Sequence, residues 1–431
     1  MYRGPGLGPD ASTSSGVVVL STAVEAGTDK TYRDGTDRAI APAETWQRVL
    51  PRLPEMGITR VADVTGLDHI GVPVFMAVRP NSRGLTVAQG KGLSVDAARV
   101  SAVMESIEAY HAERIEAPLL LGSWDELARH RRLVDTSFLI TAAGEPLRRD
   151  RRLLWIEGTD LMSGEPVWLP FDLVHNDYTG ASQAGQSPFA VTSNGLASGN
   201  HLLEATSHAI CEVIERDAEA LWLATPKQRQ DELRVDPDTV DDPACRYVLD
   251  TLAAAGVAAA CWDMTTDIGL PCFTVDIAED PRVSISRVAV AQGQGCHPRR
   301  EIALLRALTE AVQSRLTVIA GSRDDFYRSL YARANDLDNR EAAWRTCAAG
   351  NAPRHFTDVP TRDNGSFQED IEHELAALRQ AGITEAIQVP LGGEQLGISV
   401  VRVMLPGAEH APTPDTYHPG PRARRLREAG A

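Results

Sequence analysis

Three stretches of this chain repeat one arrangement: a glycine-bearing run, then a helical period in which a polar stripe lies beside an apolar one. In "SGNHLLEATSHAICEVIERDAEALW", Glu204, His208, Glu212 and Glu215 stand at i, i+4, i+8 and i+11 and share a face, while Leu203, Ile210 and Ile214 line another. "SAVMESIEAYHAE" places Ser101, Glu105 and Glu108 at i, i+4 and i+7, and "RALTEAVQSR" gives Arg306, Glu310 and Gln313 the same spacing. A single charged stripe is ordinarily a solvated surface. Three of them, preceded by "AQGKG", "SNGLASGN" and "AQGQG", predict helices that converge on one acidic site.

Carboxylates held close together repel unless a cation neutralises them, and hard oxygen ligands suit Mg²⁺, which normally also takes phosphate and water. That combination points to a nucleoside triphosphate, with glycine-rich loops at the helix starts offering N–H groups to phosphate. Common nucleotide folds fit poorly. The sequence has no G-x-x-x-x-G-K-[ST], no H-R-D or D-F-G, and no strand followed by G-x-G-x-x-G; "QGKG" at 89–92 is not a P-loop, because no Ser or Thr follows Lys91.

Between the helices, "GITRVADVTGLDHIGVPVFMAVRP" reads as strand, turn and strand, and "LLWIEGTDLMSGEPVWLPFDLV" as a hairpin with "SGEP" at its turn. "VAAACWDMTTDIGLPCFTVDIAE", "SISRVAVAQGQG" and "GISVVRVMLP" add further strand-like runs, helices are expected over 95–112 and 368–381, and 323–366 has no clear pattern. Hairpins with intervening single helices predict an α+β fold of mixed or largely antiparallel sheets with packed helices.

The expected division is a disordered leader over 1–28, one catalytic domain over 29–410 and a Pro-containing basic tail over 411–431. With 43 Lys+Arg against 59 Asp+Glu, the formal charge of −16 argues against nucleic-acid or anionic-membrane partners. No apolar run approaches the roughly 20 residues of a membrane span, so a soluble cytoplasmic protein is expected. The six cysteines form no CxxC pair and read as reduced, packed thiols. A homodimer is compatible with all of this.

"GITRVADVTGLDHIGVPVFMAVRP", "AQGKGLSVDAARVSAVMESIEAYHAE", "SNGLASGNHLLEATSHAICEVIERDA", "REIALLRALTEAVQSR" and "GISVVRVMLPGAE" resemble in order the YcaO superfamily, ATP-dependent enzymes that modify peptide backbones. The resemblance spans residues 30 to about 409. It implies an ATP site of Ser101, Glu105, Asn200, Glu204, Arg216, Arg306 and Glu310, with Mg²⁺ held by Glu108, Glu212 and Glu215. Lys30, Arg33 and Arg38 in "KTYRDGTDR" are further phosphate-side candidates. Ala197 departs from the Ser common at its position, while His208 and Cys211 are assigned no catalytic role.

The family phosphorylates an amide oxygen to make it a leaving group, then admits a nucleophile. The product is an azoline with a side chain, an amidine with an amine, or a thioamide with external sulfide. Azoline formers usually carry a leader-binding partner domain, for which there is no room expected before Lys30, and many end in Pro-x-Pro-x-Pro. Here Pro412 and Pro414 are followed by Thr416. The chain looks more like the stand-alone members that act with a TfuA-like partner in thioamide formation on a ribosomal peptide or protein. A non-catalytic nucleotide-binding accessory protein is the reading from another class.

Overall fold

Period-2 runs become three antiparallel sheets, and the one-sided apolar helices pack against them, in a computed structural model. It describes residues 29–431 except 140, 143, 180–186, 190, 285–287, 326–327, 329–330, 333–335, 411–416 and 431. The expected leader, 1–28, and the proline positions 412 and 414 lie outside the described residues.

The first sheet has the order β1-β2-β3, from β1 (Arg60–Asp63), β2 (Val74–Val78) and β3 (Val87–Lys91). The largest starts with β4 (Leu119–Ser123), β5 (Arg152–Asp160), β6 (Pro166–Pro170) and β7 (Leu196–Gly199). A four-stranded sheet follows, of β8 (Arg234–Val235), β9 (Val257–Asp263), β10 (Cys272–Glu279) and β11 (Ala291–Cys296), in the order β11-β10-β9-β8. Then β12 (Ile387–Gly392) and β13 (Ser399–Met404) return to complete the order β4-β5-β12-β13-β7, with β6 paired to β5. The expected hairpin is β5–β6, with Trp155 opposite Pro170 and Thr159 opposite Pro166.

The helices in chain order are α1 (Pro42–Val49), α2 (Val95–Ala112), α3 (Trp124–Leu127), α4 (Leu202–Ala224), α5 (Lys227–Glu232), α6 (Pro243–Ala254), α7 (Arg300–Ala320), α8 (Leu337–Cys347), α9 (Phe367–Gln380) and α10 (Pro421–Gly430). Helix starts follow local chemistry: Ser94 caps α2 by accepting from Ala97 N–H, and Ser366 with Glu369 forms a capping box at α9. The apolar face of α7, including Leu304 and Leu308, shares a core with Phe273, Val275 and Val74 from two sheets. That of α4, including Ile210 and Ile214, packs with Val401 and Val403 and with Leu375 of α9.

The glycine-bearing runs form strands: β11 lies in a run read as strand-like, whereas β3 and β7 replace expected loops. Each lies at the edge of its sheet, and the helix that follows folds back across it. Glycine is needed for that close approach. A Cβ at Gly90 would lie 1.9 Å from the Ala102 nitrogen, and one at Gly293 would lie 2.2 Å from the Ala307 oxygen. Their role is helix-on-strand packing, and His201 rather than an open loop satisfies the start of α4, accepting from Leu203 N–H.

The basic tail is also held. Arg422 is buried, with Nε 2.9 Å from Asp217 on α4, and Gly420 and Ala423 N–H groups donate to Glu409 at 2.7 and 2.8 Å.

Candidate active site

Sheet edges leave main-chain donors unpaired, and here helix glutamates meet donors of three edge strands. β3 and β7, with α2, α4 and α7, line a cavity of about 620 Å³. The glutamates of the helices take up the spare donors. Ser198 N–H of β7 donates to Glu108 at 2.8 Å, Gln294 N–H of β11 to Glu310 at 3.5 Å, and the Gln89 N–H of β3 to Glu105.

Ser101, Glu105, Glu108, Asn200, Glu204, Glu212, Glu215, Arg216, Arg306, Glu310 and Arg38 all line this cavity. Lys30 and Arg33 are not among its lining residues. The Lys30 ammonium is buried 3.0 Å from Asp37 and 2.6 Å from Asp370, and Arg33 holds Asp363 at 2.8 Å. Their sequence neighbourhood offers three similar cations, Lys30, Arg33 and Arg38. The Tyr32–Arg38 bridge decides among them, turning the segment so that Arg38 approaches Glu204 while Lys30 faces Asp37.

The carboxylates divide by partner. Glu108 accepts from Ser198 Oγ at 2.7 Å as well as from its N–H, yet burial, with Glu105 and Glu212 nearby, pushes its carboxyl up to about 8. Burial likewise raises Glu212 to about 7, against the pull of Arg216. Glu215 is raised by burial too, and its Oε2 is buried with no hydrogen-bond partner. Glu310 goes the other way: burial is outweighed by Lys91, whose ammonium lies 2.6 Å away, and by Arg216. Glu204 is an anchor, accepting N–H donors from Ala39 at 3.1 Å and Asn200 at 3.2 Å.

An unpartnered buried carboxylate oxygen and neighbouring acids short of protons or cations suit a divalent ion. Among the described residues, however, no three site carboxylates bring one oxygen each within 4.8 Å. Glu108, Glu212 and Glu215 are therefore not a closed three-carboxylate cage. This spread fits Mg²⁺, which commonly uses one or two carboxylates and completes its shell with phosphate and water. The one cluster that is that tight, Asp37, His297 and Asp370, already encloses a cation, the Lys30 ammonium.

Lys91 and Ser198 are cavity residues that sequence reasoning passed over. Lys91 carried a signal, a lone cation in "AQGKG", that the failed P-loop pattern concealed. Ser198, beside Ala197, supplies a hydroxyl to Glu108. Cys211 is a packing residue, as expected: its thiol donates to Glu374 at 3.3 Å, and hydrogen bonding with Cys296 and burial push it well up. All six cysteines are free and buried.

Residues 89–409 match the family model described as YcaO cyclodehydratase, ATP- and Mg²⁺-binding. The chain is 39% identical over 380 residues to an uncharacterized protein in the tfuA 3′ region of Rhizobium leguminosarum bv. trifolii, covering 87% of this chain and 89% of that relative. Its fold matches YcaO from Methanopyrus kandleri bound with AMPPCP and Mg²⁺, with a TM-score of 0.70 at 23% identity over 89% of this chain and 95% of the other. It also matches a heterocyclase in complex with substrate and cofactor, with a TM-score of 0.71 at 20% identity over 87% of this chain and 53% of that one. With its three edge strands, acidic helices and matching family model, the chain belongs to the YcaO cyclodehydratase family of ATP- and Mg²⁺-binding, peptide-modifying enzymes.

Proposed function

We propose that this enzyme activates a peptide backbone amide by phosphorylating its oxygen, and that external sulfide then displaces phosphate to leave a thioamide. The observation that carries the first step is the cavity in which Glu108, Glu212 and Glu215 face Arg38, Arg216 and Arg306. Bound ATP with Mg²⁺ supplies the phosphoryl group and screens the charge that develops on it. Glu108, Glu212 and Glu215 would hold the metal; Arg38, Arg216 and Arg306, with Ser101, Glu105, Asn200, Glu204 and Glu310, would position the nucleotide. The cations stabilise negative charge as the amide oxygen takes the phosphoryl group. The sulfur adds at the amide carbon, the C–O bond breaks, and phosphate leaves carrying the former amide oxygen.

The sulfide branch is supported by the relative in the tfuA 3′ region and by Thr416, which interrupts the proline pattern of azoline formers. We accordingly propose a TfuA-like partner, a ribosomally made peptide or protein as substrate, and a cytoplasmic setting that keeps the thiols reduced.

Substrate labelled with heavy oxygen at the reacting carbonyl should yield labelled phosphate, together with an oxygen-for-sulfur mass change that requires added sulfide and is strongest with the partner present. Label retained in the peptide would exclude amide phosphorylation. Loss of water independent of sulfide would instead favour azoline formation, and incorporation of an amine would favour amidine formation.

A further inference from the structure

The cavity cations differ in what holds them. Arg38 approaches Glu204 at 3.6 Å, Arg216 meets Glu215 at 3.2 Å and Glu219 at 3.0 Å, and Lys91 meets Glu310 at 2.6 Å. Each of these charges is partly cancelled before any ligand arrives. Arg306 has no carboxylate within 4.0 Å among the described residues, and its Nη2 instead donates to Nε2 of His208 at 2.9 Å. Both side chains line the cavity.

We infer that His208 is a positioning residue that holds Arg306 through a neutral acceptor, so that the guanidinium keeps its full charge for the anionic end of the bound nucleotide. This rests on the nucleotide reading of the cavity. A guanidinium has only donors, so the imidazole accepts at Nε2 and carries its own proton at Nδ1. A carboxylate in that place would grip Arg306 but neutralise it, and an aliphatic side chain would leave it free to swing.

The surroundings keep the imidazole uncharged. Burial acts first, and Arg306 from α7, Arg38 from the amino-terminal segment, Lys91 from β3 and His297 from the turn before α7 all oppose a second proton, holding its pKa well below the usual histidine range. Glu204 and Glu212 stand one turn away on either side along α4, but Glu204 is occupied by Ala39 and Asn200 and Glu212 accepts from Gly195 N–H at 3.3 Å.

The test is calorimetric titration of the full chain with ATP and, separately, with adenosine, both in Mg²⁺. Absence of ATP binding by the wild type would defeat the nucleotide reading itself. Given binding, His208→Leu should weaken ATP by about ten- to a hundredfold, the worth of a hydrogen bond to a charged group, and leave adenosine unchanged. Equal ATP affinity in a folded His208→Leu would overturn the assignment, as would an equal loss for adenosine, which marks general distortion. A second pair decides even if the leucine variant is unstable. His208→Gln, which retains a neutral acceptor, should recover most ATP affinity, whereas His208→Glu should not. Glutamate binding ATP as well as glutamine would overturn the neutral-anchor reading.

Discussion

Two carboxylates near the carboxyl end of α2, Glu108 within it and Glu113 just past it, are held differently. At the carboxyl end, Glu113 is buried but saturated: Arg79 donates to both its oxygens at 2.7 and 2.6 Å, Arg114 adds a bond at 2.9 Å, and Gly84 N–H one at 3.1 Å. Within α2, Glu108 has donors only from Ser198 among the described residues. Glu113 is fully buried and Glu108 half-buried on the cavity wall, and only Glu113 is gripped by Arg79. A buried acid with its own arginine is part of the framework, whereas cavity acids without one are the proposed place for a cation from outside.

The largest expected effect comes from removing charge on the open side of this comparison. Glu212→Gln should lower ATP turnover by at least about a hundredfold, because a ligand charge is lost with little change of volume. Its melting temperature should stay level or rise, since burying a neutral amide beside Glu108 and Glu215 relieves repulsion. A fall in stability with unchanged turnover would place Glu212 in the framework.

On the saturated side the balance reverses. Arg79→Met leaves Glu113 buried without its bidentate partner and should cost about 3–5 kcal/mol in denaturant unfolding. Pairing it with Glu113→Gln should restore much of that loss; failure to do so would show that Arg79 contributes mainly by packing.

The carboxyl-terminal helix tests whether pairing extends to α4. Deleting 421–431 strands Asp217, one residue from Arg216, and should destabilise the fold by about 1–3 kcal/mol. An exposed tail would cost no more than about 0.5 kcal/mol.

The open side also implies a dependence on pH. Glu108 and Glu212 titrate near 8 and 7 in the fold, above an unfolded value of about 4.3. The folded chain therefore holds protons more tightly, so their contribution to stability is complete at low pH and is lost as pH rises through 7 and 8. The nucleotide-free protein should melt progressively lower between about pH 5 and 8, and excess Mg²⁺ should flatten that slope by replacing the protons. A slope unaltered by Mg²⁺ would separate these acids from metal binding.

The sequence alone determined which helices carry the site. The spacing of Glu105 and Glu108, of Glu204, Glu212 and Glu215, and of Arg306 and Glu310 follows from helix geometry, so a period of 3.6 residues places each set on one face without reference to the rest of the chain. Several strands were similarly legible from alternation and turn residues, among them β1, β2, the β5–β6 hairpin, β9, β10 and β13. Tertiary structure alone decided that the glycine runs of β3 and β7 are strands and that all three runs lie at sheet edges, because the signal for glycine at Gly90 or Gly293 is the backbone of a helix lying against it, not the local chain. It also decided which cations belong to the cavity. Lys30, Arg38 and Lys91 look alike in sequence, and the charge each one meets comes from distant segments: Asp370, Glu204 and Glu310 respectively. Pairing of buried charge is a long-range property, fixed only when the sheets bring those segments together.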